Sequence, residues 1–152
     1  ATGVPMGGTL NADAGVPRLF VWATQDPDHA PLAKIQIIKG WLEDGEAHER
    51  VFDIACSEAK VGGRCLTTAA PVDLSDCSWS DTSGLPELRA DWVDPDYNAS
   101  HNAFYYARVL QIPTCRWTTY DSLRLGRAPP TDVPATITEM AWSSPVWVTT
   151  ED

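Results

Sequence analysis

Apolar and polar positions alternate with a period of two over much of this chain, and the clearest run is Phe104-Tyr-Tyr-Ala-Arg-Val-Leu-Gln-Ile112. Tyr105, Ala107 and Val109 fall on one face of the run, and Phe104, Tyr106, Leu110 and Ile112 on the other. Both faces are apolar and rich in aromatic and β-branched residues, which predicts a central strand covered on both sides. Arg108 is the one charge in the run; its stem packs while its guanidinium seeks a carboxylate or water. Pro113 cannot donate to a ladder and ends the strand.

The other elements follow in order. Residues 1–16 form a loop-like lead-in with Gly3, Gly7, Gly8 and Gly15, and residues 17–152 the folded domain. Arg18 to Thr24 reads as a first strand, apolar on both faces, and Asp26-Pro-Asp28 turns the chain after it. Lys34 to Leu42, with Ile35 and Ile37 alternating, and Glu49 to Cys56, with Phe52, Ile54 and Cys56 facing one way, form a hairpin about Asp44-Gly45. Val72 to Trp79 predicts a short edge strand, and Leu85 to Val93 another before the repeated turn Asp94-Pro-Asp96. Beyond the central strand, Thr118 to Gly126 predicts a helical turn or more, started by Thr119 or Asp121. Residues 128–134 hold three prolines and stay extended. Ile137 to Met140 and Pro145 to Thr149 read as closing strands. Short strands with a turn signal every ten residues or so predict an all-β fold: an antiparallel two-sheet sandwich, immunoglobulin-like, with long loops and at most short helical turns.

Composition narrows the function classes. At 152 residues one domain is expected, and 43% hydrophobic with 21% charged content is ordinary for a globular chain. A net charge of −10 disfavours nucleic-acid and anionic-membrane partners, since phosphates would be repelled over most of the exterior. No apolar run approaches the roughly 20 residues that a membrane span needs. The chain starts at Ala1 without a methionine, so a processed product or a fragment is expected.

The sites are fewer. Cys56, Cys65, Cys77 and Cys115 allow three disulfide connectivities, and none lies in a Cys-x-x-Cys pair. Disulfides would place the chain in the periplasm or outside the cell. Asp94, Asp96 and Asn98 have the alternating spacing of a weak calcium loop, without the glycine and closing glutamate of an EF-hand. His29, His48 and His101 are dispersed in polar turns, so neither a metal set nor any other cofactor is expected within this chain. No Gly-x-Ser-x-Gly elbow occurs, and paired carboxylates for glycoside cleavage cannot be read from spacing. Of seven tryptophans, Trp79 lies among serines and aspartates and is the best candidate for an exposed ligand-stacking platform.

Several segments together resemble the bacterial domain-of-unknown-function 3604 family. They are Gly3-Val-Pro-Met-Gly-Gly8, Phe20-Val-Trp-Ala23, Ile35-Gln-Ile-Ile-Lys-Gly-Trp41, Asp94-Pro-Asp96, Ala103 through Trp117, Asp132 through Ile137, and Ala141-Trp-Ser-Ser-Pro-Val-Trp147. The resemblance is to the C-terminal part of longer proteins whose N-terminal part is similar to PHP-type metal-dependent hydrolases. It implies a hydrolase parent, with any divalent metal held in that N-terminal part, and gives this chain no ligand residue. The resulting expectation is a structural or cleft-shaping β-sandwich segment, secreted or periplasmic, without an active site of its own. Its partner would be the N-terminal catalytic part of the same protein, or another chain. A free-standing ligand- or glycan-binding module is the alternative, and a self-sufficient hydrolase lacks a visible nucleophile. Exposed coplanar tryptophans would favour the binding module, and a bare apolar patch near the N-terminus the segment.

The cysteine pairing expected is Cys56–Cys65 and Cys77–Cys115. Gly62-Gly63 lets the chain fold straight back from Cys56 to Cys65, and Cys77 and Cys115 each sit at a strand edge.

Overall fold

A computed structural model describes residues 3–66, 72–79 and 83–150. Its first strands are β1 (Thr9–Asn11), β2 (Arg18–Thr24), β3 (Leu32–Glu43), β4 (Glu46–Cys56), β5 (Lys60–Val61) and β6 (Arg64–Cys65). Then come β7 (Glu87–Val93), β8 (Ala103–Gln111), β9 (Thr114–Cys115), helix α1 (Trp117–Leu125), β10 (Thr136–Ile137), β11 (Met140–Trp142) and β12 (Val146–Thr149). The fold is an all-β sandwich. Its main sheet runs β1-β12-β8-β3-β4, with β11 also on β8, and β2 and β7 make a two-stranded sheet that packs across one face. Among the described residues pairing is antiparallel except for β1 with β12, which is parallel.

With β2, β3, β4, β7, β8 and β12 taken as strands B, C, C′, E, F and G, the distribution is that of an immunoglobulin variable-type sandwich. The B–E sheet has two strands here among the described residues.

Local chemistry accounts for the frame. Asp44 and Gly45 both hold positive φ (52° and 82°), so the chain reverses in two residues with Glu43 opposite Glu46. Strand β8 lies inside the sheet between β3 and β11/β12, as its apolar run requires. Ile37, Tyr105, Ala107 and Val148 of the main sheet, with Ala12, form the core, and Leu19, Val21 and Trp92 of the smaller sheet pack on them. Leu32, Ile35 and Leu88 make a second cluster beside it. Each fully buried isoleucine here contributes about 1.5–3 kcal/mol by transfer from water.

Four local readings change. Arg18 to Thr24 is not buried on both faces: Leu19, Val21 and Ala23 turn inward, while Phe20 and Trp22 are 68% and 62% exposed. Val72 to Trp79 is a turn rather than an edge strand. Asp73 and Asp76 accept bonds from the backbone N–H of Ser75 and Ser78, local closures that compete with a ladder. Helix α1 begins one turn earlier than Thr119 or Asp121 would set it, after an extended Arg116, and ends where Gly126 takes the left-handed conformation. The lead-in is not wholly loop, since Thr9–Asn11 pairs with β12 and Ala12 is fully buried.

A bulge explains one more difference. The β3–β4 register shifts so that Gln36 faces Asp53 and Ile35 faces Ala55, leaving Ile54 as the extra residue. Ile54 stays with the core and Phe52 packs against Trp92, while Cys56, opposite Lys34, moves to the outer face rather than the inward one its spacing predicts.

Candidate docking surface

The cysteines are bonded as 56–65 and 77–115, with Cα separations of 5.5 and 5.6 Å. The first bond pins the β5–β6 hairpin to the end of β4. There the Asp53 carboxylate accepts from the Gln36 side chain at 2.6 Å and from the Cys65 backbone N–H at 2.7 Å. Arg108 donates to Gln36 at 2.9 Å, so the single charge of the central strand finds its partner through a glutamine.

Asp94, Asp96 and Asn98 each turn to different partners. The Asp94 carboxylate is buried and accepts from Lys39 Nζ at 2.6 Å, from the Tyr105 hydroxyl at 2.7 Å and from the Asp96 backbone N–H at 2.9 Å. Asp96 pairs with Arg50, and Asn98 accepts from the Ser100 backbone and hydroxyl. The oxygens a cation would need are therefore taken up by ammonium, guanidinium and hydroxyl groups. Among the described residues, no three His, Cys, Asp or Glu side chains come together as a metal set.

This buried cluster sets an alkaline limit. Burial, and then the bond to Asp94, raises the Tyr105 phenol above its ordinary value near 10. The unfolded phenol loses its proton near pH 10 while the folded one keeps it. The contribution is thus fully present below pH 10 and is lost as pH rises beyond that. Tyr105→Phe is expected to lower stability by about 1–3 kcal/mol at pH 7, by leaving part of the Asp94 carboxylate unbonded, and to flatten the decline above pH 10. Urea titrations from pH 7 to 11 measure both; an unchanged alkaline slope would remove Tyr105 from this role.

The tryptophans separate. Trp79 is half-buried and packs with Ala33 against Ala30 and Ile112, so it is not the free platform its polar neighbours in sequence predict. Trp22, Trp117, Trp142 and Trp147 are exposed, but they stand on β2, α1, β11 and β12, and no ring stack joins any two of them. A coplanar stacking row is not formed by these residues.

An apolar surface gathers instead around the lead-in. Met6 is 66% exposed and Val4 is also open, on the same groove as Phe20 and Trp22 of β2, and Val16 is open beside it. Between the lead-in and β2 lies a groove of about 470 Å³ whose lining includes Ile37, Tyr105 and Ala107 of the main sheet. A hollow of about 270 Å³ continues it past Leu10 and Val16. Arg18, the one charged side chain on either lining among the described residues, is held by a two-pronged bond to Asp91 at 2.6 and 2.5 Å. That bond holds the Asp91 carboxyl below its ordinary range and raises the guanidinium.

A second groove, of about 510 Å³, lies on the outer face of the main sheet, bounded by Leu42, Ala47, Glu49, Phe104 and Trp147. Its floor depends on Gly40. A Cβ there would come within 2.3 Å of the Phe104 ring, so the ring lies on the backbone only because that side chain is missing. Phe104 also stacks on Tyr106 (centroids 6.3 Å, 11° between planes) and tilts against Trp147 at 5.5 Å. Gly40→Ala is expected to displace Phe104 and cost about 1–3 kcal/mol, read as a lower urea midpoint. An unchanged midpoint would mean the ring moves without loss.

Sequence reasoning missed Phe20, Trp22 and Gly40 as surface-forming residues. The signal was present: two aromatics at alternate positions of β2, and a glycine inside a strand. Among the described residues, no helix is long and apolar enough to cross a membrane. Residues 1–150 match the model of one protein family, described as Protein of unknown function (DUF3604). No curated protein and no solved structure matches the chain.

Proposed function

The chain belongs to the DUF3604 family, and from that premise we propose that it is a docking module, the C-terminal β-sandwich of a larger, PHP-type metal-dependent-hydrolase-like protein that is secreted or periplasmic. Its work is structural: it supports the N-terminal catalytic part, or shapes one wall of that part's cleft, and contributes no catalytic group. Two disulfides fit an oxidising compartment.

The observation that carries this reading is the apolar surface about the lead-in, where Val4, Met6, Val16, Phe20 and Trp22 lie open on a chain of net charge −10. Burying a single phenylalanine or methionine contributes about 1.5–3 kcal/mol, so a chain that leaves such residues in water has a surface suited to a partner. Calorimetric titration of the separately produced upstream part into this chain tests it. Binding is expected, and Phe20→Ser with Trp22→Ser is expected to weaken it at least about 30-fold, the effect of losing two interface aromatics. Absence of binding, or binding indifferent to both changes, would reject the reading.

The outer-face groove favours a second reading, a ligand- or glycan-binding module, because its volume falls in the range of small-molecule sites. Quenching of Trp147 fluorescence by soluble oligosaccharides, abolished by Trp147→Ala, would support that reading over the first.

A further inference from the structure

The smaller sheet is one strand short on the side of β2. One edge of β2 is paired along its length with β7, from Arg18 opposite Val93 to Thr24 opposite Glu87. The other edge meets no strand among the described residues and borders the groove. In the sandwich whose B and E positions β2 and β7 occupy, strand A pairs with B on that side and precedes it in the chain. A seven-residue edge of about 23 Å with alternating apolar side chains is a ready template for strand addition.

We propose that this edge takes up an extended segment of the same polypeptide from upstream of residue 1, completing the smaller sheet as its third strand. The inference deepens the docking reading and rests on it, since it requires that the natural protein continue upstream. Three observations select this occupant. Gly3 lines both the groove and the hollow that continues it, so the first described residue of the chain already lies on the wall of the groove that the β2 edge borders. Ile37, Tyr105 and Ala107 belong to the main sheet and line the groove, so alternate side chains of an added strand would fall against an apolar wall. Arg18, the one charge on the lining among the described residues, is already neutralised by Asp91, which selects an uncharged segment. Main-chain hydrogen bonds to β2 would supply affinity, and the spacing of small apolar residues the specificity.

Amide hydrogen exchange tests this on two proteins: the 152-residue chain and the longer natural polypeptide containing it. In the shorter chain, alternate amides of Arg18–Thr24, those not bonded to β7, are expected to exchange rapidly. In the longer protein they are expected to slow on the order of 100-fold, as paired sheet amides do. Unchanged β2 exchange with new protection at Met6 or on the face of β12 would overturn strand addition and leave docking standing. No new protection anywhere would overturn both. Slow β2 amides in the shorter chain, together with a dimer mass in sedimentation, would mean that a second copy fills the edge, which also overturns the proposal.

Discussion

Lys39→Ala is expected to destabilise the fold by about 3–5 kcal/mol, the cost of leaving a buried carboxylate without its counter-charge. The Asp94 side chain has no exposure and that of Lys39 only 5%. Lys39 Nζ also donates to the Asp96 carbonyl at 2.7 Å and sits 5.2 Å from the centre of the Trp41 ring. Removing the ammonium leaves Asp94 only the Tyr105 hydroxyl and the Asp96 N–H, neither of which carries charge. Since small domains hold about 5–15 kcal/mol in all, a large share of the stability goes with it. Adding Asp94→Asn removes the orphaned charge and is expected to restore part of the loss. Urea unfolding of both variants measures this. Equal destabilisation of single and double variants would mean that the loss comes from packing of the lysine stem.

The second large effect concerns Cys77–Cys115. That bond spans 38 positions and ties the turn around Asp73 to the strand that leads into α1, whereas Cys56–Cys65 spans nine. Loop-closure entropy assigns about 4 kcal/mol to the longer span and about 3 kcal/mol to the shorter. Cys77→Ser with Cys115→Ser is therefore expected to lower stability more than Cys56→Ser with Cys65→Ser. Denaturant midpoints of the two double variants decide it. The reverse order would show that the outer-face contacts around Asp53, and not chain entropy, set the value of the shorter bond.

The parts of the fold that local chemistry dictates were legible. The Asp44-Gly45 reversal, the Asp26 and Asp94 turns, the central strand and the helix stop at Gly126 each follow from a few adjacent residues. Longer-range facts were not. Lys39 shares the period of Ile35 and Ile37, so its inward position was readable, but its partner lies 55 residues away. The β4 bulge shifts register without any glycine to announce it. Most instructive is β2: Leu-Phe-Val-Trp-Ala reads as a strand buried twice because periodicity cannot tell a face covered by the chain's own core from an apolar face left open. The same ambiguity touches β8, whose Tyr105 face is sealed while Phe104 and Tyr106 are only half-covered.

The surface of Met6, Phe20 and Trp22 is proposed to be covered by an upstream part of the polypeptide. Hydroxyl-radical footprinting measures it directly, with Trp117 on α1, as exposed as Phe20, for reference. In the 152-residue chain all four side chains are expected to oxidise readily. In a longer polypeptide of the kind proposed, carrying the upstream part, Met6, Phe20 and Trp22 are expected to become several-fold less reactive while Trp117 keeps its rate. Equal oxidation of Met6, Phe20 and Trp22 in the two proteins would contradict the account.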